Sequence, residues 1–471
     1  MKQIHKQPLG FSTLFLTEMW ERYGFYVVQT ILIFILIEKL ELNDSQAYGI
    51  VGSFTALAYI NCLFGGIIAD RFIGYNQTVI IGGLSLIIGY SFLGIANDLQ
   101  LSLIGLAFVS VGTGFLKPNV SSMVGLLYKD RDDNKDIGYT LYYVGIYIGA
   151  LSGSWFGGYF RIWFGSLWSF ISAAIGVILS VIIFVYGTKK YQLYDHRHNQ
   201  IMFAERFKAL ISFFILILIA FMILKYDFLS TWYFILVFLF CFSFIVYYIV
   251  ISNGVDRSKL IAFSILLLLS IIYWAIFFQQ FFSLSLCIDR VTRLSVPASI
   301  ISSIESFGVI CFGPLINLIW FKFKEKQKPI KIATKFSLGF LFNAFCFIIL
   351  CLGLWYAKIT HEYLSIVFII LAYLIISIGE LCLSPSCLSM VTSLVPDKLT
   401  SAMMGISLLS IGFGGKFAGL LAINSSISKH MSLDLLESNY LKLFFDCFLI
   451  SLVTYIVALI LIKFVNRLMK V

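Results

Sequence analysis

Glu18, Glu21 and Arg22 stand within about one helical turn of each other, inside the first strongly apolar stretch of the chain. At that spacing three side chains share one helix face. A charge near the centre of a bilayer costs at least about 2.5–3.5 kcal/mol unless it is paired or wetted. Three of them so close together call for an internal polar cavity. The functional reading is a substrate or ion pathway, and the structural one is a buried pair that only locks helices together. Burial disfavours the charged form of a carboxyl, and a neighbouring Lys or Arg favours it. A solute entering between such groups shifts that balance, so that proton uptake and solute binding become linked.

The elements that must hold these residues are apolar and long. Of 471 residues, 60% are hydrophobic and 12% charged, well below the roughly 25% charged of a soluble domain. Apolar segments are predicted at 11–37, 48–69, 77–96, 100–123, 138–159, 164–187, 209–225, 229–252, 260–284, 297–321, 335–357, 363–387, 400–423 and 441–464. Their length suits helices crossing a hydrocarbon core of about 30 Å, and the alternation of a β-barrel is missing. The first segment carries the charged group, which argues against a cleaved signal. With the N-terminus placed inside, 23 of the 34 Lys and Arg fall on the cytoplasmic side, 8 on the other, and Arg22, Lys117 and Lys416 within the membrane. That bias predicts cytoplasmic termini in an inner or plasma membrane protein. It also turns the net charge of +10 into a topology signal rather than a nucleic-acid one.

A polar stretch and a doubled pattern give the expected organisation. A six-helix bundle at 11–187 is followed by a cytoplasmic linker at 188–208, an inserted helix pair at 209–252 and a second six-helix bundle at 260–464. The expected fold is thus all-α and integral to the membrane, with 12 core helices in two bundles and 2 inserted ones. Without a G-x-x-x-x-G-K-[ST] loop, ion-gradient drive is expected rather than ATP. The nine cysteines lack metal spacing and read as packing residues. His5, His196, His198, His361 and His430 all map to tails or loops, which leaves coupling to carboxylates.

Two motifs carry a resemblance. Gly65-Gly66-Ile67-Ile68-Ala69-Asp70-Arg71-Phe72-Ile73-Gly74 joins small residues to an acid–base pair able to latch one conformation, and it resembles the loop signature of the major facilitator superfamily. Glu18-x-x-Glu21-Arg22-Tyr23-x-x-Tyr26 resembles the E-x-x-E-R-[FY] signature of the proton-coupled oligopeptide transporters. The likeness continues through Gly114-Phe115-Leu116-Lys117-Pro118-Asn119, Tyr142-Tyr143 with Ile148-Gly149, and Trp274 with Gln279. It also takes in Asp289-Arg290 with Pro297, and Gly379-Glu380 with Ser384-Pro385.

The resemblance implies proton-driven uptake of di- and tripeptides by alternating access, with no cofactor beyond the proton gradient. It implies that Arg22 pairs with the peptide carboxylate, a task that suits a guanidinium fork. Lys117 would exchange partners with Glu18 or Glu21. Tyr26, Gln29, Tyr59 and Tyr147 would line the cleft, Trp274 would form part of a side-chain pocket, and Glu380 would face the substrate amino group or gate the cytoplasmic half. Asp70 and Arg71 would be the latch. Departures stand beside these matches: Phe25, Tyr147, Phe278 and Ser407 replace residues usual in the family, and Gln29 stands where some members have arginine. Glu305 and Lys416 are charges gained. Glu305 is expected either to replace a missing seventh-helix acid in proton coupling or simply to pair with Lys416.

Other classes fit less well. A membrane-embedded enzyme would need Asp, His or Glu clustered at one membrane face, for instance an H-x-x-x-H motif, which the chain lacks, and no enzyme is expected. A transporter of another zwitterionic or anionic solute, or a drug or metabolite exporter, stays open. The expected partners are small peptides and the lipid bilayer, with no nucleic acid, and the expected state is a monomer.

Overall fold

A computed structural model describes residues 7–128, 135–193, 202–294, 296–328, 330–427 and 431–468. His5, His196, His198 and His430, and residues 194–201 of the expected linker, lie outside the described residues. The remaining histidine, His361, ends a helix in the left-handed region at φ 53°, with Nδ1 3.8 Å from Asp434.

Among the described residues the apolar runs form fourteen helices of 22 residues or more. The first six are α1 (Phe11–Phe34), α2 (Asp44–Ile68), α3 (Gly74–Ile95), α4 (Leu99–Leu127), α5 (Lys135–Trp163) and α6 (Ser166–Lys190). Next come α7 (Phe203–Lys225), α8 (Asp227–Ile251) and α9 (Gly254–Phe277). After the short α10 (Ser283–Val291) follow α11 (Ala298–Glu325), α12 (Ile332–Thr360), α13 (Ile366–Leu394), α14 (Thr400–Ala422) and α15 (Leu433–Leu468).

Twelve segments are long and apolar enough to cross a membrane, and one of them, Asp44–Ile95, holds both α2 and α3. At the start of α3 Gly74 adopts φ 76°, a backbone that a side chain would strain. The short α10 was not expected. The predicted run 260–284 breaks after Phe277 into a tight turn at Phe278–Phe281. There Gln279 donates to the carbonyls of Ala275 (3.3 Å) and Ala418 (2.9 Å) and accepts from Ser283 (2.7 Å). The Gln279 side-chain amide thus takes backbone partners where the chain leaves α9.

The chain divides into two compact units, 1–40 with 57–226, and 41–56 with 227–471. In the first, α1 packs against α4, α5 and α6, while α3 packs against α4 and α6. Lipid offers no hydrophobic drive for helix association, so small residues and close backbone contacts must supply it. A Cβ at Gly149 of α5 would lie 2.2 Å from the Met19 carbonyl oxygen of α1, and one at Gly153 2.3 Å from that of Tyr23. The second part of α2 meets α4 in the same way. Pro118 lacks an N–H, which frees the Gly114 carbonyl four residues back. That oxygen would stand 2.1 Å from a Cβ at Gly65.

In the second unit α12 packs on α13 and α15, α9 on α13, α14 and α15, and α11 on α13. The first part of α2 lies in this unit. A Cβ at Gly419 of α14 would stand 2.6 Å from the Tyr48 carbonyl oxygen, and Arg290 of α10 grips Asp44 with two bonds of 2.7 and 2.8 Å.

The α2–α4 contact is directly testable. Gly65→Ala should lose stability by about 1–3 kcal/mol, the usual cost of overpacking. Gly66→Ala, with nothing within 4 Å of its Cβ, should be neutral. Thermal unfolding of the purified protein in detergent separates the two outcomes.

Candidate functional site

In the first unit α1 presents Glu18, Glu21 and Arg22, each at most 1% exposed. The Arg22 guanidinium is clasped from its own helix. Its Nε donates to Glu21 Oε2 at 2.5 Å and its Nη2 to Glu21 Oε1 at 2.6 Å, while Glu18 Oε1 lies 3.5 Å from Nε. These contacts leave the Nη1 amine for another partner. The Phe25 ring lies under the guanidinium, 4.6 Å from ring centroid to Cζ. This gives the phenylalanine at that position a cation–π role of its own. Gly149 lets α5 come close: a Cβ there would stand 3.0 Å from the Arg22 Cβ.

The neighbours of this trio come from α2, α4 and α5. Thr113 Oγ1 of α4 donates to Glu21 Oε1 at 3.4 Å. One turn further along α4, Lys117 Nζ sits 4.9 Å from the centroid of the Tyr59 ring of α2, and its charge acts on Glu18. The hydroxyl of buried Tyr142 on α5 lies beside Glu18. Thr113 and Tyr142 are contacts that sequence reasoning missed, although Tyr142 stands within a quoted motif. Of the expected cleft residues, Tyr26 is half-buried on α1 against Phe25, with ring centroids 5.8 Å apart, and Gln29 is buried. Tyr147 pairs with Tyr143, hydroxyl to hydroxyl, at 3.2 Å. Asp70 and Arg71 are exposed, and Asp70 accepts from the Tyr75 hydroxyl at 2.8 Å.

The second unit holds the remaining candidates. Trp274 of α9 is buried with its ring centroid 5.7 Å from that of Phe278. Glu305 of α11 and Glu380 of α13 are buried, 2% and 5% exposed. Ser306 Oγ donates to Glu305 Oε2, at 3.0 Å. Lys416 takes other partners than the expected Glu305. Its Nζ donates to Ser230 of α8 at 2.8 Å and to Ser53 of α2 at 3.0 Å, and lies 3.8 Å from an Asp227 oxygen. The rotation of α14 turns Lys416 toward α8 rather than α11, which is why the alternative of a Glu305–Lys416 pair fails.

Residues 76–431, well over half of the chain, match the sequence profile PTR2, described as the POT family. The chain belongs to the POT family. It is therefore a multi-pass membrane transporter and not an enzyme, with the helical architecture of the major facilitator superfamily. Peptide transporter YePEPT of Yersinia enterocolitica is 28% identical to it, over 99% of this chain and 96% of that protein. Dipeptide and tripeptide permease A of Proteus mirabilis is 26% identical, over 97% of this chain and 94% of that one. A crystal structure of peptide transporter POT in complex with sulfate superposes with a TM-score of 0.82 at 27% identity, covering 100% of this chain and 97% of the other.

The clasp on Arg22 ranks its two acids. Removing one partner of a buried ion pair leaves the other charge uncompensated and costs about 3–5 kcal/mol. Glu21→Ala, which strips both short bonds from Arg22, should therefore lower the unfolding temperature clearly more than Glu18→Ala. An equal loss in the two variants would show that Glu18 shares the guanidinium on equal terms.

Proposed function

We propose that the protein imports di- and tripeptides, driven by an inward proton gradient, by alternating access. The observation that carries this reading is Arg22, a fully buried guanidinium with two of its nitrogens taken by Glu21 and the third left over. Such a group can receive a carboxylate from a substrate without giving up its own counter-ion. Membership of the POT family and relatives bearing the name of peptide permease support the same substrate class.

The proposal assigns these roles. The peptide carboxylate goes to Arg22, and Lys117, which already acts on Glu18, changes partners between Glu18 and Glu21 as protons come and go. Tyr26, Gln29, Tyr59 and Tyr147 hydrogen-bond the peptide backbone. Trp274 contributes to a side-chain pocket, Glu380 meets the amino group, and Glu305 joins Glu380 in proton coupling. Asp70 and Arg71 latch one conformation at the end of α2. No cofactor is needed beyond the proton gradient. The loop charge bias supports cytoplasmic termini in an inner or plasma membrane. A monomer is the working state, with the two six-helix bundles at 11–187 and 260–464, the linker at 188–208 and the inserted pair at 209–252.

Dialanine uptake into proteoliposomes with an imposed inward proton gradient is the deciding experiment. Wild type should accumulate dialanine, and an uncoupler should collapse the accumulation. Arg22→Ala should reduce uptake to background while still inserting and folding. Folded wild type without uptake would overturn the peptide reading in favour of another zwitterionic or anionic solute. Undiminished transport by Arg22→Ala would remove the carboxylate role from that residue.

A further inference from the structure

Positive charge is gathered at one place away from the candidate site. The segment 322–335 holds six lysines against one acid, Glu325, and so carries +5 of the chain's net +10. Membrane topology does not demand this imbalance, because the positive-inside bias counts Lys and Arg and is met just as well where acids offset them. At 129–136, for instance, Lys129, Arg131 and Lys135 stand among four aspartates. Helix stability does not account for the cluster either. Lys322 and Lys324 close α11 and suit its dipole, but Lys331 and Lys335 open α12, where the dipole disfavours cations and no acid of the first turn offsets them. None of the six lysines forms a salt bridge among the described residues.

The helix that carries them is bare. From Asn317 to Lys328 every residue except the half-buried Trp320 is exposed, which is more than two turns and so leaves open surface on every side. Leu318, Ile319 and Phe321 are 49%, 47% and 56% exposed. Along α11 the order is therefore aliphatic, then aromatic, then cationic, the order in which a bilayer changes from hydrocarbon to interface to headgroup. The end is also well formed. Gln327 takes the left-handed φ of 55°, its N–H donates to the Lys324 carbonyl at 3.0 Å, and the Lys328 N–H donates to the Phe323 carbonyl at 3.0 Å. Lys335 of α12 lies back over Trp320, with Nζ 5.3 Å from the ring centroid, and joins the two helices into one cationic platform.

We propose that the outer end of α11, with the start of α12, binds anionic phospholipid. The acyl chains lie on Leu318, Ile319 and Phe321, and the phosphates meet Lys322, Lys324, Lys326 and Lys328. Charge complementarity selects this occupant: a zwitterionic lipid covers the apolar surface equally well but leaves the lysines unmatched. The inference rests on the membrane placement of the chain and is independent of what the protein transports.

Brominated lipids, which quench tryptophan on contact, test it with the full-length protein in phosphatidylcholine vesicles. A small share of brominated phosphatidylglycerol should quench wild type more than the same share of brominated phosphatidylcholine. That excess should disappear in Trp320→Phe, in high salt, and when Lys322, Lys324, Lys326 and Lys328 are all changed to glutamine. Changing the four to arginine should preserve it. Equal quenching of wild type by the two lipids would overturn the site. So would an excess that survives high salt or the glutamine variant, and one that survives Trp320→Phe would put the lipid elsewhere and overturn it too. Wild type without the excess that still accumulates dialanine would overturn this site and leave the transport proposal standing.

Discussion

A guanidinium with almost no solvent contact must be matched within the protein, and much of the first unit is arranged around that match. Arg22 meets Glu21 through two short bonds and Glu18 at longer range, and its flat face rests on Phe25. Taking charges out of water costs several kcal/mol per ion, and only good geometry with further hydrogen bonds offsets it. The geometry here depends on helix spacing. Gly149 and Gly153 let α5 lie against α1, and the Thr113 hydroxyl of α4 reaches Glu21. A larger residue at Gly149 would meet the α1 backbone and Arg22 itself.

The same economy of close contact recurs where function and packing share a residue. Lys117 immediately precedes Pro118, whose missing N–H frees the Gly114 carbonyl toward Gly65. The turn that carries an intramembrane lysine is therefore also the turn that seats α2 on α4. In the second unit polar groups do comparable work. Lys416 ties α14 to Ser230 and Ser53, and Ser230 is the buried polar residue of a largely apolar α8. Arg290, placed on the short α10, holds Asp44 at the start of α2 and touches the Tyr440 hydroxyl of α15 at 3.3 Å. In each case a polar side chain supplies the specificity that apolar surface in lipid cannot.

Most of the helices were legible in the sequence because a bilayer-length apolar run has few alternatives, and because 12% charge leaves the exceptions conspicuous. The cluster on α1 was legible for the same reason, since its three charges lie on one turn and need no tertiary information to be neighbours. What could not be read was which way distant helices turn. Glu305, Glu380 and Lys416 were all visible as intramembrane charges, but which groups each of them meets is decided by the rotation of α11, α13 and α14. Arg290 was expected in a loop, because the predicted run ended at 284. The break after Phe277 and the restart at Ser283 depend on Gln279 finding a backbone partner on α14, a contact 139 residues away.

The two carboxyl clusters differ in a way that bears on coupling. Glu18 and Glu21 lie in the field of Arg22 and Lys117, so cations of the chain itself accompany the acids. Their chemistry is a choice among partners. In the proposed cycle a substrate carboxylate would reach the Arg22 amine that Glu21 leaves over, and Lys117 would then shift between Glu18 and Glu21. Glu305 and Glu380 instead lie buried on two neighbouring helices of the second unit, with the Ser306 hydroxyl donating to Glu305. Glu305 on α11 thus adds a buried carboxyl to a unit in which Phe278, beside Trp274, stands where the resemblance led us to expect an acid.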